Sequence, residues 1–173
     1  TVLASESLLV NVLKRAKELV SSGRDVYATP ALSFFLSNRI NAARPGGTGE
    51  LPVDLIISNF TRLDDSDILS SAKYWADDPD RILSDLAGRL VNRNLFAIEL
   101  QNEPFSDERI RSLKEKTVTN LGIDRQFSGY YVFSDSVSNM AYTPESTEVL
   151  VLLKNGSTAG ISQVSDMFDH RFL

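Results

Sequence analysis

Leu90-Val91-Asn92-Arg93-Asn94-Leu95-Phe96-Ala97-Ile98-Glu99-Leu100 changes its period in the middle, and the fold class turns on that change. Up to Leu90 the apolar positions Ile82, Leu83, Leu86 and Leu90 recur at the steps of one, three and four that line one face of a helix. From Leu95 the run Leu95-Phe96-Ala97-Ile98-Glu99-Leu100 reads instead as a strand, which Pro104 then breaks. The chain is therefore expected to be α+β. An irregular helical part would occupy residues 1–93 and a small α+β part residues 94–173.

Toward the N-terminus the helical pattern continues. Leu8, Leu9, Val12, Leu13, Ala16, Leu19 and Val20 share one face, Lys14, Arg15, Lys17 and Glu18 fall largely on the other, and Ser21-Ser22-Gly23 supplies the stop. Thr29-Pro30 gives an N-cap and a first-turn proline to a second helix with Leu32, Phe35, Leu36 and Ile40 on its stripe. That helix would run into the loop-like segment 42–50. A third short helix is expected over Val53 to Phe60. The carboxylates of Asp64-Asp65-Ser66-Asp67 would open a fourth, with Ile68, Leu69, Ala72 and Trp75, and Asp78-Pro79 would open the fifth. No repeat at a fixed period is visible, so these helices make an irregular bundle or the closing half of a larger one.

Toward the C-terminus, Ser106-Asp107-Glu108 opens a helix that carries Ile110 and Leu113 and closes at Gly122. Tyr130-Tyr131-Val132-Phe133 reads as a second strand. Asn155-Gly156 lies between the strand-like runs Glu148 to Leu153 and Ser157 to Ile161, which predicts a two-residue type I′ hairpin with positive φ at both positions. Ser162 would cap a last short helix through Met167. The expected order of this part is β-α-β-β.

Composition narrows the chemistry. Among 173 residues, 18 Lys and Arg stand against 23 Asp and Glu, a net charge of −5. This balance argues against a general affinity for nucleic acid or anionic membrane. No apolar run approaches the roughly 18 residues of a spanning helix, so a soluble chain is expected. The absence of Cys excludes disulfides, thiolate metal sites and thiol catalysis, and fits a reducing cytoplasm. The single His, His170, leaves no mechanism that needs paired imidazoles within the chain. Thr1-Val2-Leu3-Ala4 has neither the charge nor the apolar stretch of a signal peptide, and the lack of Met suggests a piece of something longer.

The candidate sites are few. Asp64, Asp65 and Asp67 lack the alternation, central Gly and closing Glu of a calcium loop, and N-capping explains them, as it does Asp77, Asp78 and Asp80. The glycines near Gly46 follow no strand and lack the Lys-Ser/Thr ending of a phosphate loop. No serine nucleophile elbow is present. Arg89 and Arg93 are four apart, on one face of a continuing helix beside Asn92 and Asn94. Guanidinium forks among amides suit phosphate oxygens. The alternative is structural: Arg89 pairs with Asp85, and Arg93 caps the negative end of the helix.

Three stretches together resemble a known family. Val10-Asn11-Val12-Leu13-Lys14-Arg15-Ala16-Lys17-Glu18-Leu19, Leu63-Asp64-Asp65-Ser66-Asp67-Ile68 and Leu90-Val91-Asn92-Arg93-Asn94-Leu95-Phe96 resemble the region downstream of the catalytic core in HD-domain phosphohydrolases. The subgroup is that of the deoxynucleoside triphosphate triphosphohydrolases. Beyond residue 100 the chain is similar to the α+β tail of bacterial members, with Val164-Ser165-Asp166-Met167 a weaker match.

In that family a His, a His-Asp pair and a further Asp hold a divalent metal that activates water against phosphate. Here Asp169-His170 has the reverse order and no second His exists. The resemblance thus implies a C-terminal portion with neither catalytic nor metal residues of its own, the metal belonging to a longer parent. It implies the upstream HD domain of the same polypeptide as a partner, a homo-oligomer, a nucleotide effector and a cytoplasmic location, while the acidic charge balance is what argues against a nucleic-acid or membrane partner. Arg93 matches the Arg that touches effector phosphates in nucleotide-activated members, with Arg89 beside it, while Ala97 stands where an assisting Lys would be. The competing reading is a non-enzymatic α+β interaction or ligand-sensing module.

Overall fold

Ala4, Leu8, Val12, Ala16 and Leu19 are spaced to stack along one side of a helix, and in the computed structural model that side is buried. The structure describes residues 2–40, 51–101, 103–135 and 150–160. By their contacts the residues divide into two units, Thr1–Ser134 and Asp135–Leu173.

The first unit is built on α1 (Val2–Ser21), which packs against α2 (Pro30–Ser37) and α5 (Arg81–Val91); α4 (Asp65–Trp75) packs in turn on α5. Their shared core contains Leu8, Val12, Trp75, Leu83 and Leu86, all essentially without solvent contact. Trp75 can be buried because its indole N–H donates to the Tyr27 carbonyl at 2.7 Å. α1 ends as its sequence requires: Gly23 takes φ +86°, and the N–H groups of Gly23 and Arg24 return to the carbonyls of Val20 and Leu19.

α2 stops at Ser37, before Ile40, the last member of its expected stripe. The Asn38 N–H and carboxamide both donate to the Phe34 carbonyl, and the Lys17 ammonium reaches the carbonyls of Phe35 and Asn38 at 2.8 and 3.0 Å. The exposed carbonyls of the last turn are thereby satisfied without another turn of helix. α3 (Val53–Phe60) forms over the expected residues, yet none of them is buried.

Asp64, Asp67 and Asp80 are helix caps. Asp64 accepts from the N–H groups of Ser66 and Asp67 while Asp67 accepts from that of Asp64, a reciprocal capping box on α4. For α5 the cap is Asp80, two residues later than the Asp78-Pro79 reading, because Asp80 takes the Leu83 N–H and Asp78 the Asp80 N–H.

The expected β-α-β-β succession is not found among the described residues. Its helix is present as α6 (Asp107–Leu121), capped by Ser106 and closed by Gly122 at φ +57°. Neither flanking strand forms. Leu95 to Leu100 has no ladder, and Tyr130 ends a 3-10 helix (Arg125–Tyr130). Part of the apolar character that suggested strands, at Leu95, Phe96, Tyr130 and Tyr131, is used for ring and core packing instead, while Ile98 and Leu100 are exposed. Phe96 meets the rings of Tyr131 and Phe133 edge-on, and Tyr130 joins the helical core with Leu95, Phe127 and Tyr131 against it. Arg81 of α5 holds the end of α6 by donating to the carbonyls of Leu121 and Gly122. Residues 94–134 thus share the first unit with the helices before them.

In the second unit β1 (Leu150–Leu152) pairs antiparallel with β2 (Thr158–Gly160), Leu150 opposite Gly160 and Leu152 opposite Thr158. The turn differs from the type I′ expectation. Leu153 N–H donates to the Ser157 carbonyl and Gly156 N–H to that of Leu153, which leaves three residues in the loop with positive φ at Gly156 alone. The Asn155 carboxamide oxygen accepts from the Ser157 N–H and hydroxyl, a local bond that replaces the left-handed conformation expected of Asn155. The architecture is mostly helical with this small sheet, consistent with α+β. The segment 42–50, the last helix from Ser162, Val164-Ser165-Asp166-Met167 and His170 lie outside the described residues.

Candidate functional site

The two arginines sit at and just past the end of α5, and the structure treats them differently. Arg89 Nε donates to Asp85 Oδ2 at 2.8 Å, one helical turn back, and its guanidinium lies 6.0 Å from the centre of the Tyr131 ring. Burial pushes the Tyr131 phenol above its ordinary value, and the neighbouring Asp85 carboxylate adds to that. Arg81, Asp85, Leu121, Ile123 and Tyr131 line a cavity of about 60 Å³. Ligand pockets begin at roughly 300 Å³, so this one does not admit a nucleotide.

Arg93 follows the cap residue Asn92 and takes φ +55°, the only non-glycine residue with positive φ among the described residues. The helix end closes around it: Arg93 N–H donates to the Leu90 carbonyl at 3.3 Å, and Asn94 N–H to that of Arg89 at 2.8 Å. The Asn92 N–H and carboxamide both reach the Gly88 carbonyl. α1 and α6 use Gly for the equivalent left-handed position, where a Cβ is unfavourable by roughly 1–2 kcal/mol. Backbone groups and the Asn92 amide supply the capping bonds, and the exposed Arg93 guanidinium makes no hydrogen bond or ion pair with the described residues. Ala97 is exposed in the irregular segment that follows.

A larger recess, of about 330 Å³, lies between α1 and the 3-10 helix, against Lys14, Arg15, Glu18, Gln126, Phe127 and Tyr130. Most of its charge is internally matched. Arg15 donates to both oxygens of Asp80, at 3.1 and 2.7 Å, with its guanidinium 4.7 Å from the Phe127 ring centre. The Tyr130 hydroxyl donates to the Glu18 carboxylate. Burial and that carboxylate raise the Tyr130 phenol above its ordinary value. Sequence reasoning did not find this recess. Its ion pair joins residues far apart in the chain, and no local period signals such a meeting.

Among the described residues no group of three or more His, Asp and Glu side chains is placed to hold a metal ion. The donor set that a divalent cation needs is thus not assembled by these residues. No helix among them is long and apolar enough to cross a membrane.

No protein-family model matches the chain. It is 28% identical over 171 residues to the uncharacterized protein YwfO of Bacillus subtilis (strain 168), an alignment covering 94% of this chain and 35% of that protein. It superimposes with a TM-score of 0.78, at 37% identity, on the crystal structure of a phosphohydrolase (BT4208) from Bacteroides thetaiotaomicron VPI-5482. That likeness covers 99% of this chain and 41% of the other. The chain therefore has a phosphohydrolase-like fold while spanning well under half the length of either relative.

Proposed function

We propose that this chain is the C-terminal part of a metal-dependent HD-type phosphohydrolase acting on deoxynucleotides, and that it completes the helical core, makes subunit contacts and binds a nucleotide effector. The carrying observation is the phosphohydrolase likeness over 99% of the chain at 37% identity. In this reading residues 1–93 are the downstream portion of the HD helical core, and 94–173 are its α+β appendage. The catalytic metal and its ligands belong to the upstream HD domain of the same polypeptide. The uncovered apolar side chains of α3 support a contact with that domain: Leu55, Ile57 and Phe60 are 43%, 53% and 67% exposed.

Arg93 is the effector ligand in this proposal, with Arg89 beside it. An exposed guanidinium without a partner among the described residues, on a backbone conformation that disfavours Arg, supports that role. Arg89 would have to share its charge with Asp85, and Ala97 offers no second cation in place of Lys.

The test is made on the full-length protein. With a divalent cation it should release tripolyphosphate from dGTP, and the 173-residue chain alone should not. No release of tripolyphosphate from any deoxynucleoside triphosphate by the loaded full-length protein would defeat the reading. Activation by dGTP or dATP should fall in Arg93→Ala with basal hydrolysis kept, and unchanged activation would remove the effector role.

A further inference from the structure

We infer that Asn155 is a site of spontaneous backbone modification, in which it closes on Gly156 to a succinimide and opens to isoaspartate or aspartate, with Ser157 promoting the closure. Asn155 is the only asparagine in the sequence followed by Gly. A residue without Cβ leaves its nitrogen open to attack by the side chain before it. Asn155, Gly156 and Ser157 are all exposed.

The geometry adds more than the dipeptide alone. Ser157 N–H and Ser157 Oγ–H both donate to Asn155 Oδ1, at 3.0 and 2.8 Å. A backbone N–H can only donate, so the atom facing it is the carboxamide oxygen and not the nitrogen. That bond closes an Asx turn that spans the Gly156 peptide. It also places two donors on the oxygen that gains negative charge when Cγ is attacked, the arrangement that stabilises a tetrahedral intermediate in acyl transfer.

In the reaction Gly156 N loses its proton and bonds to Cγ of Asn155, the Cγ–Nδ2 bond breaks, and ammonia leaves with that proton. Water then adds to one of the two imide carbonyls and opens the ring, so no oxidant or reductant is needed. Opening at one carbonyl gives aspartate. At the other it gives isoaspartate, whose main chain is one atom longer through the turn. The opposing contact is the Gly156 N–H bond to the Leu153 carbonyl at 2.9 Å, which must open first. Three-residue strands in a two-stranded sheet, with Leu150 and Leu152 exposed, hold that bond weakly.

The experiment incubates the 173-residue chain at mildly alkaline pH and follows the peptide carrying residue 155 by mass spectrometry and isoaspartyl methyltransferase labelling. Label is expected at 155 before any other asparagine. Ser157→Ala should slow it roughly fivefold, the equivalent of one neutral hydrogen bond, and Ser157→Thr should keep the rate. In concentrated urea the Ser157→Ala chain should react as fast as the unaltered one. Earlier conversion at another asparagine, a Ser157→Ala rate equal to or above the unaltered rate in buffer, or a difference that persists in urea would each overturn the proposal.

Discussion

Replacing Asp80 removes three contacts from one carboxylate, so its effect can be built up from the structure. Asp80 accepts the Leu83 N–H at 2.8 Å as the N-cap of α5, a role worth about 1 kcal/mol. It also receives both donors of Arg15, with the two side chains only 12% and 15% exposed, and Arg24 lies 4.0 Å away. Removing one partner of a fully buried pair costs about 3–5 kcal/mol, and partial exposure lowers that to about 2 here. Asp80→Ala should therefore lose about 3 kcal/mol. Asp80→Asn, which keeps a capping oxygen, should lose about 2. Urea unfolding followed by far-ultraviolet circular dichroism measures both. The coupling of Arg15→Gln with Asp80→Asn should exceed about 1 kcal/mol in a double-mutant cycle. A loss below about 1 kcal/mol in Asp80→Ala, or additive single variants, would refute the claim that this carboxylate joins α1 to α5.

The same group fixes the sign of an acid dependence. Burial pushes the Asp80 carboxyl upward, but the Arg15 hydrogen bond, the Leu83 N–H and the two guanidinium charges outweigh it and hold it below its ordinary value. A lowered folded pKa means the unfolded chain binds the proton first. The contribution is therefore complete above the ordinary carboxylate range and is lost as pH falls through the folded value. Asp80→Asn should flatten that part of the stability profile, and an unchanged acid limb would exclude Asp80 as its source. Arg93→Gly should raise stability by about 1 kcal/mol, by relieving the left-handed backbone, while abolishing any response to effector; a destabilised variant would remove the argument from strain. Ser71 is fully buried with no partner for its hydroxyl among the described residues, so Ser71→Ala should stabilise by about 1 kcal/mol in the same urea assay, and a loss would mean that the hydroxyl has a partner.

What the sequence made legible follows the range of each interaction. α1, α3, α4 and α6 were readable because caps, stops and stripes are local. Asp64 with Asp67, Gly23 and Gly122 each act within one turn of their own position. The strands expected at 95–100 and 130–133 failed because an apolar run does not state what will cover it, and here Ile98 and Leu100 are left exposed. Whether a neighbouring strand or a ring such as Tyr131 covers Phe96 is decided by tertiary contacts. The hairpin turn differs from its expectation more narrowly, since Asn155 could take a positive φ or bond locally through its side chain, and Ser157 decides for the second. At the candidate site the Arg89–Asp85 pair was visible from its spacing. The conformation of Arg93 was not, because Gly marks a left-handed helix end in sequence and Arg does not.

The burial of Trp75 also determines what an optical experiment on this protein measures. It is the chain's single Trp, it is 1% exposed, and its N–H is committed to the Tyr27 carbonyl. Its emission is a report from the interior of α1, α4 and α5, shifting to the red when that interior meets solvent. The hairpin around Asn155 belongs to the other unit and carries no indole. A fluorescence melt is therefore a readout of how Trp75 is packed within the helical unit, whereas conversion at Asn155 is followed by mass spectrometry.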